Sequence, residues 1–375
     1  MAGIYLHIPF CKQACVYCNF HFSTRLQNKG ALLKTLIREA RLRQDFTEGE
    51  VIDSIYFGGG TPSLLSASEI ESLLEDLHQL FPVSAAAEIT LEANPDDLKP
   101  GYLQELAQTP VNRLSIGLQS FRESDLQFMN RAHNAQEAMQ CAVLAQDAGF
   151  SNLTVDLIYG LPDYGVDEWQ GALARIKELE VPHFSAYALT VEPKTALHHQ
   201  IEKGKRAPLD EELAARHFET LQEFATRAGY RHYELSNLAL PGFEAVHNSS
   251  YWQGKTYLGL GPAAHSFRPG ERLWNVANNT LYLQALEKNE LPLESEKLSL
   301  RDQYNERVMT ALRLEEGLSL SQVEKVFGKP YRLYAEQQAQ ALLQKGRLVQ
   351  EENRLVIPPA WRFHSDGLAA ELFWV

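Results

Sequence analysis

Cysteine is scarce in this chain, with four among 375 residues. That excludes a disulfide-stapled scaffold, which concentrates many cysteines in a short chain. Long apolar runs are absent too. None approaches the roughly 20 residues that a membrane-crossing helix requires, so no membrane span is expected. Basic blocks and low-complexity tracts are missing, and acidic residues outnumber basic ones, 48 to 35, for a formal charge of −13. A binder of phosphate backbones needs a basic footprint, so no nucleic-acid partner is expected. The first cysteine, at position 11, leaves no room for a secretory or transit segment. Thiols that must stay reduced point to a reducing compartment, and the expected location is the cytoplasm. What remains is a chain 45% hydrophobic and 22% charged, long enough to bury a large core and to hold more than one domain.

Three of the four cysteines stand together. The apolar run Ile4 to Ile8 reads as a buried strand stopped by Pro9, and Cys11, Cys15 and Cys18 follow at once as C-x3-C-x2-C. Thiolates so closely spaced in one loop can converge on one metal centre. Three of them fit a [4Fe–4S] cube whose fourth iron is open to a small molecule. A zinc site completed by His7 or His21 is the competing reading, since structural zinc takes four protein ligands. The remaining thiol, Cys141, shares a helical stripe with Ala138, Ala142, Ala145 and Ala148 and reads as a small buried hydrophobe.

Strand and helix signals then alternate about six times. Leucines at helical spacing mark a helix over 29–46, and Val51 to Phe57 reads as a second strand that runs into Gly58-Gly59-Gly60-Thr61-Pro62. Ser66 and Glu69 predict a capping box, and so do Asn134 and Glu137. Further strands are expected over Glu88 to Glu92, Arg113 to Leu118, Leu153 to Tyr159 and Phe184 to Thr190, and helices over 166–180 and 210–229. Such alternation predicts parallel strands joined by right-handed crossovers. Six units fall short of the eight of a closed barrel, so the fold class is α/β, a partial, open (β/α)6 barrel of TIM type. Working residues belong at the carboxyl ends of its strands, where Gly58 to Thr61, Glu92, Gln119 and Asp156 fall. A loop, His247-Asn248-Ser249-Ser250-Tyr251-Trp252, and a glycine-rich stretch from Tyr257 to Ser266 follow; the glycines could bring backbone close to a ligand or the barrel edge. From about Ser299 three helices and two short strands predict a winged-helix-like domain, whose mixed charge suits protein contact or a lid. The expected division is a barrel over 1–235, a connecting segment over 236–297 and the C-terminal domain over 298–375.

Several stretches together resemble the anaerobic coproporphyrinogen III oxidase family of the radical S-adenosylmethionine (SAM) superfamily, and within it the HemW-type heme-chaperone branch. They are Tyr5 to Cys11, Gly58 to Pro62, Leu114 to Phe121, Asn130-Arg131-Ala132-His133, Asp156 to Pro162, and the His247 stretch, in that order along essentially the whole chain. The resemblance implies that Cys11, Cys15 and Cys18 hold a [4Fe–4S] cluster whose open iron chelates SAM. In the superfamily, an electron from that cluster splits the sulfonium into a 5′-deoxyadenosyl radical. It further implies that Gly59 and Gly60, with Thr61 beside them, let backbone approach the methionyl amine. Glu92 would accept hydrogen bonds from a ribose hydroxyl or an ammonium group, Gln119, Arg131 and Asp156 would contact SAM, and Tyr17 and Tyr5 would pack beside the cofactors, Tyr5 against a second SAM.

One departure bears on function. The porphyrinogen-decarboxylating members carry a fourth cysteine two residues after the third, where this chain has Phe20, and they extend further before the motif. Both differences fit the chaperone branch, whose H-N-x-x-Y-W signature is matched by His247, Asn248, Tyr251 and Trp252. Histidine is a common axial ligand of heme iron, and Tyr and Trp can stack on a porphyrin. A loop histidine bonded to backbone, with Trp anchoring the loop, is the alternative. The expected function is therefore a heme chaperone with a [4Fe–4S] cluster, SAM and heme, passing heme to acceptors such as respiratory enzymes, as monomer or homodimer. The alternative is an oxygen-independent coproporphyrinogen III oxidase.

Overall fold

In a computed structural model, which describes residues 1–375, the amino-terminal run forms strand β1 (Ala2–Ile8). Strands β2 (Ile52–Gly59), β3 (Val83–Ala93), β4 (Arg113–Gln119), β5 (Leu153–Tyr159) and β6 (His183–Ala188) add to it in sequence order, each parallel to the one before. This is the expected six-unit partial barrel. Helices cover its outside and start where local chemistry dictates. Ser66 and Asn134 accept from the backbone N–H of Glu69 and Glu137, whose carboxylates bond back, completing both capping boxes.

Alternation along the strands gives the barrel two unlike faces. Ile4, Leu6 and Ile8, Ile55 and Phe57, Leu114 and Ile116, and Val155 and Leu157 are buried with the helices in a core of 64 residues. The intervening positions point inward. A closed barrel of this type fills its interior with branched apolar side chains. Here Tyr56, Glu92, Arg113, Ser115, Asp156 and Ser185 line a cavity of about 700 Å³ instead.

The sheet extends beyond six strands. Strand β7 (Asn237–Ala239) pairs antiparallel with β6, while β8 (Tyr257–Leu260) pairs parallel with β1. Strands β9 (His265–Arg268), β10 (Glu271–Asn275) and β11 (Leu293–Lys297) follow antiparallel, giving eleven strands in the order β11-β10-β9-β8-β1-β2-β3-β4-β5-β6-β7. Residues 236–297 thus flank the barrel on both edges. The glycine-rich stretch lies at the edge, and a Cβ on Gly259 would collide with the His265 carbonyl oxygen.

Two local expectations differ from the structure. Strand β3 begins at Val83, which pairs with Ile52 ahead of a register break; Ser84 to Ala87 bridge the break before pairing resumes at Glu88, and they carry little β propensity to announce the strand. The His247 stretch is a helix, Val246–Gln253, with almost no apolar periodicity to announce it. No helix of the chain is long and apolar enough to cross a membrane.

Ser299 caps the next helix, Leu300–Leu312, in a third capping box. Helices Leu320–Phe327 and Lys329–Gln344 follow, with a small sheet of β12 (Leu318–Ser319), β14 (Arg354–Val356) and β13 (Val349–Glu351) in that order. This winged-helix-like unit has its own core of 16 residues, including Tyr304, Val308, Leu318 and Leu355.

Candidate functional site

The loop after β1 carries Cys11, Cys15 and Cys18, all half-buried, free of disulfides and lining the cavity mouth. Its path is set by backbone bonds. Cys11 N–H donates to the Ser23 carbonyl at 3.0 Å, Val16 N–H to Met129 at 3.1 Å, and Thr61 N–H to Phe10 at 2.6 Å. The glycine run after β2 makes the last contact possible. A Cβ on Gly60 would lie 2.5 Å from the Phe10 carbonyl oxygen, and one on Gly59, whose φ is +106°, would lie 2.7 Å from the His7 ring. These glycines let the second βα turn press against the cysteine loop.

Burial raises the Cys11 thiol. Burial, and with it the neighbouring thiols, pushes Cys18 up to about 11, so a metal centre is what would make Cys11 and Cys18 thiolates. No imidazole joins them. His7 donates from Nε2 to the His21 carbonyl oxygen at 2.8 Å and has its Nδ1 3.3 Å from the Tyr5 hydroxyl; His21 Nε2 lies 2.7 Å from Asn279 Oδ1. Neither histidine lines the cavity. Three thiols without a fourth protein ligand match a cluster with one open iron and do not match a four-ligand zinc site.

Behind the thiols, Arg131 donates to Cys15 Sγ at 3.3 Å, to Asn94 Oδ1 at 2.7 Å and to the Gly117 carbonyl at 2.6 Å. Its buried Nε has no partner, leaving one donor for a carboxylate such as that of a methionyl group. Gln119 closes β4 with φ at +69°, a left-handed conformation uncommon for such a residue, and lines the cavity beside Arg131. Glu92, at the end of β3, accepts from the Tyr56 hydroxyl at 2.9 Å and from Gly59 N–H at 3.2 Å. Burial pushes its carboxyl up to about 7. Asp156 faces it, also raised by burial, with the Ser115 hydroxyl 3.4 Å away. Tyr17 and Thr61 complete the lining. Tyr5 does not reach it, and its ring stacks on Tyr56 with centroids 6.0 Å apart.

The H-N-x-x-Y-W residues divide. His247 is 1% exposed, with Nδ1 2.8 Å from Ser54 Oγ, Nε2 2.7 Å from the Tyr251 hydroxyl, and its ring stacked on Tyr56. Both ring nitrogens are therefore in use, and the buried imidazole is held neutral, its pKa lowered to about 3. Asn248 faces the barrel cavity. Tyr251 and Trp252 turn the other way, into a second cavity of about 560 Å³ bounded by β8 to β10 and the Leu300–Leu312 helix. Glu88 on β3 holds this helix in place. Its carboxylate accepts from the N–H groups of Val246 at 3.0 Å and His247 at 2.9 Å.

Tyr56, Asn94, Arg113, Thr154 and Ser185 also line the barrel cavity and were not anticipated. Polar residues at alternate positions, as in Ser54-Tyr56-Gly58 or Arg113-Ser115-Gly117, were the signal available for most of them.

Comparison with known proteins agrees with this geometry. The family model of the Radical SAM superfamily matches residues 5–176, and that of the HemN C-terminal domain matches residues 298–363. A relative from Lactococcus lactis named heme chaperone HemW is 35% identical over 91% of this chain and 89% of its own length. Its Mycobacterium tuberculosis namesake is 33% identical over 99% and 94%. The chain belongs to the HemW family. Membership of the radical SAM superfamily implies a [4Fe–4S] cluster and SAM. Among solved structures, the coproporphyrinogen III oxidase HemN of Escherichia coli superposes with a TM-score of 0.86 over 99% of this chain and 90% of that one. At 23% identity that likeness shows the fold.

Proposed function

We propose that this protein is a cytoplasmic heme chaperone on a radical SAM scaffold, which binds heme and passes it to acceptor proteins such as respiratory enzymes. The observation that carries the reading is identity of 33–35% to HemW proteins along nine-tenths or more of the chain. A second observation favours it over porphyrinogen decarboxylation. Phe20, where the decarboxylating members have their fourth cysteine, is 67% exposed at the cavity mouth.

The residue roles follow from chemistry. Cys11, Cys15 and Cys18 hold the cluster as thiolates, and Arg131 neutralises that charge through Cys15 while offering its free Nε to the methionyl carboxylate. Glu92 and Asp156 face the rest of the nucleotide. A carboxyl poised near neutral pH can accept hydrogen bonds from ribose when ionised and donate one when not. Gln119 and the backbone of Gly59 to Thr61 set the width of the opening, and Tyr17 walls it. When bound, the cluster supplies a low-potential electron and SAM a cleavable sulfonium. Tyr251 and Trp252 offer aromatic surface to heme, and His247 keeps Tyr251 in place through its 2.7 Å hydrogen bond. We place the divisions between barrel, connecting segment and C-terminal domain near residues 235 and 298.

Two anaerobic measurements test the reading. Heme-loaded, cluster-reconstituted protein mixed with a heme-free acceptor enzyme is expected to lose Soret absorbance to the acceptor and restore its activity. Incubated with reductant, SAM and coproporphyrinogen III, the protein is expected to leave the tetrapyrrole unchanged. Steady formation of protoporphyrinogen would replace the chaperone with an oxidoreductase.

A further inference from the structure

Outside both cavities, one short helix carries three side chains of metal-ligand type. After β6 the chain turns at Thr195, whose hydroxyl accepts from the His198 N–H at 3.1 Å and starts the helix Ala196–Glu202. Leu197 anchors it in the core, and the Leu197 N–H donates to the Val16 carbonyl at 2.8 Å. Val16 stands between Cys15 and Cys18, so this helix braces the cysteine loop. Its His198, His199 and Glu202 converge. Glu202 Oε2 lies 3.5 Å from His198 Nδ1 and 3.4 Å from His199 Nδ1, and the three donor atoms all lie within 4.8 Å of one another. Ligands at about 2.0–2.2 Å around a tetrahedral ion stand about 3.3–3.6 Å apart, so both imidazole–carboxylate separations already fit. His198 Nδ1 is buried and has no hydrogen-bond partner. A ring nitrogen in that position carries a desolvation cost that a metal bond would offset.

We propose that His198, His199 and Glu202 bind one divalent transition-metal ion of zinc type, and that the bound ion stiffens the helix that braces the cysteine loop. Two imidazoles and one carboxylate are the donor set of borderline ions such as Zn²⁺, Fe²⁺ or Ni²⁺, whereas Mg²⁺ and Ca²⁺ favour an all-oxygen shell. Three protein ligands leave the remaining position to water. The end of the helix is already fixed, because the His199 carbonyl accepts from the Lys203 N–H at 3.2 Å and the Ile201 carbonyl from the Gly204 N–H at 2.9 Å. Binding therefore needs rotation of side chains and no refolding of backbone. Without an ion the same groups form at most two ion pairs at the surface, which contribute little.

The test is anaerobic calorimetric titration of Zn²⁺ into the full, untagged chain with its cluster loaded, so that the three clustered thiols are already occupied. One Zn²⁺ per chain is expected, with excess Mg²⁺ or Ca²⁺ unable to displace it. His199→Ala and Glu202→Gln lie at exposed positions, so the metal-free melting temperature is expected to stay at the parent's value. Each is expected to weaken the Kd for Zn²⁺ by about tenfold or more, since loss of a mere supporting contact to a ligand already costs that much. Hydrogen exchange read by mass spectrometry is expected to slow in residues 195–203 and in residues 12–18 when Zn²⁺ is added. No uptake beyond the cluster, unchanged affinity in both variants, or displacement by Mg²⁺ overturns the site. Uptake that slows exchange in the helix and leaves the cysteine loop unchanged overturns the brace. Neither result bears on the heme-chaperone reading.

Discussion

A carboxyl group with no cation beside it sets the balance between stability and chemistry at the scale of single residues. Glu92 is satisfied by one hydroxyl and one backbone N–H, and burial raises it to about 7. Its folded pKa lies above the unfolded value of about 4.3, so its contribution is complete below about pH 4 and is lost as pH rises through 7. Glu92→Gln removes the titration. In the SAM-free protein it is expected to be neutral near pH 4 and to stabilise at pH 8 by about 1–3 kcal/mol. Thermal melts at the two pH values measure this, and a lower melting temperature for the variant at pH 8 would contradict the assignment. The same carboxyl was legible as a strand-end residue in the sequence. Its missing cation was not, because Arg113 and Arg131 find their partners only through the packing of β3, β4 and the helices.

Among elements, two contacts between distant segments carry the site. Glu88 caps the Val246–Gln253 helix and also stands 3.7 Å from the buried Arg113. Glu88→Ala leaves two helix N–H groups and one buried guanidinium without their carboxylate, an expected loss on the order of 3–5 kcal/mol. Hydrogen exchange followed by mass spectrometry is expected to rise first in residues 246–253; uniform exchange across the chain would argue against a capping role. The second contact is Gly60 on the Phe10 backbone. A methyl group at 2.5 Å from a carbonyl oxygen must displace one of the two chains, so Gly60→Ala is expected to cost about 1–3 kcal/mol and to lower iron incorporation. Iron and sulfide per chain after reconstitution give the readout, and a full complement at parent stability would show the cysteine loop to be independent of that turn.

Over the whole molecule, buried neutral histidines govern the response to acid. Burial lowers His7, His133 and His232 to about 4 and His247 to about 3, below the unfolded value of about 6.5. A depressed folded pKa means stability that is complete above 6.5 and lost as pH falls towards 4. Each histidine costs on the order of 2 kcal/mol of stability at pH 5, and the buried carboxyls raised by desolvation, Glu92 and Asp156 among them, act in the other direction. The melting temperature is expected to fall steeply between pH 6.5 and 4.5, and a flat profile across that interval would show that the imidazoles protonate without leaving the fold.

What the sequence determined by itself is local in origin. Apolar runs placed β1 to β6, and β5 spans Leu153–Tyr159 as expected, because such runs and their glycine or proline stops need no distant partner to be read. The capping boxes at Ser66 and Asn134 are four-residue signals, and the cysteine spacing is one loop. Tertiary structure decided the rest. It turned His247 to Trp252 into a helix whose cap lies 158 residues earlier, occupied both nitrogens of His247, and sent Asn248 into one cavity and Trp252 into another. A polar helix with no periodicity has no local reason to form; Glu88 and the aromatic rings of β1 and β2 supply it, and those contacts exist only once the sheet has closed around them.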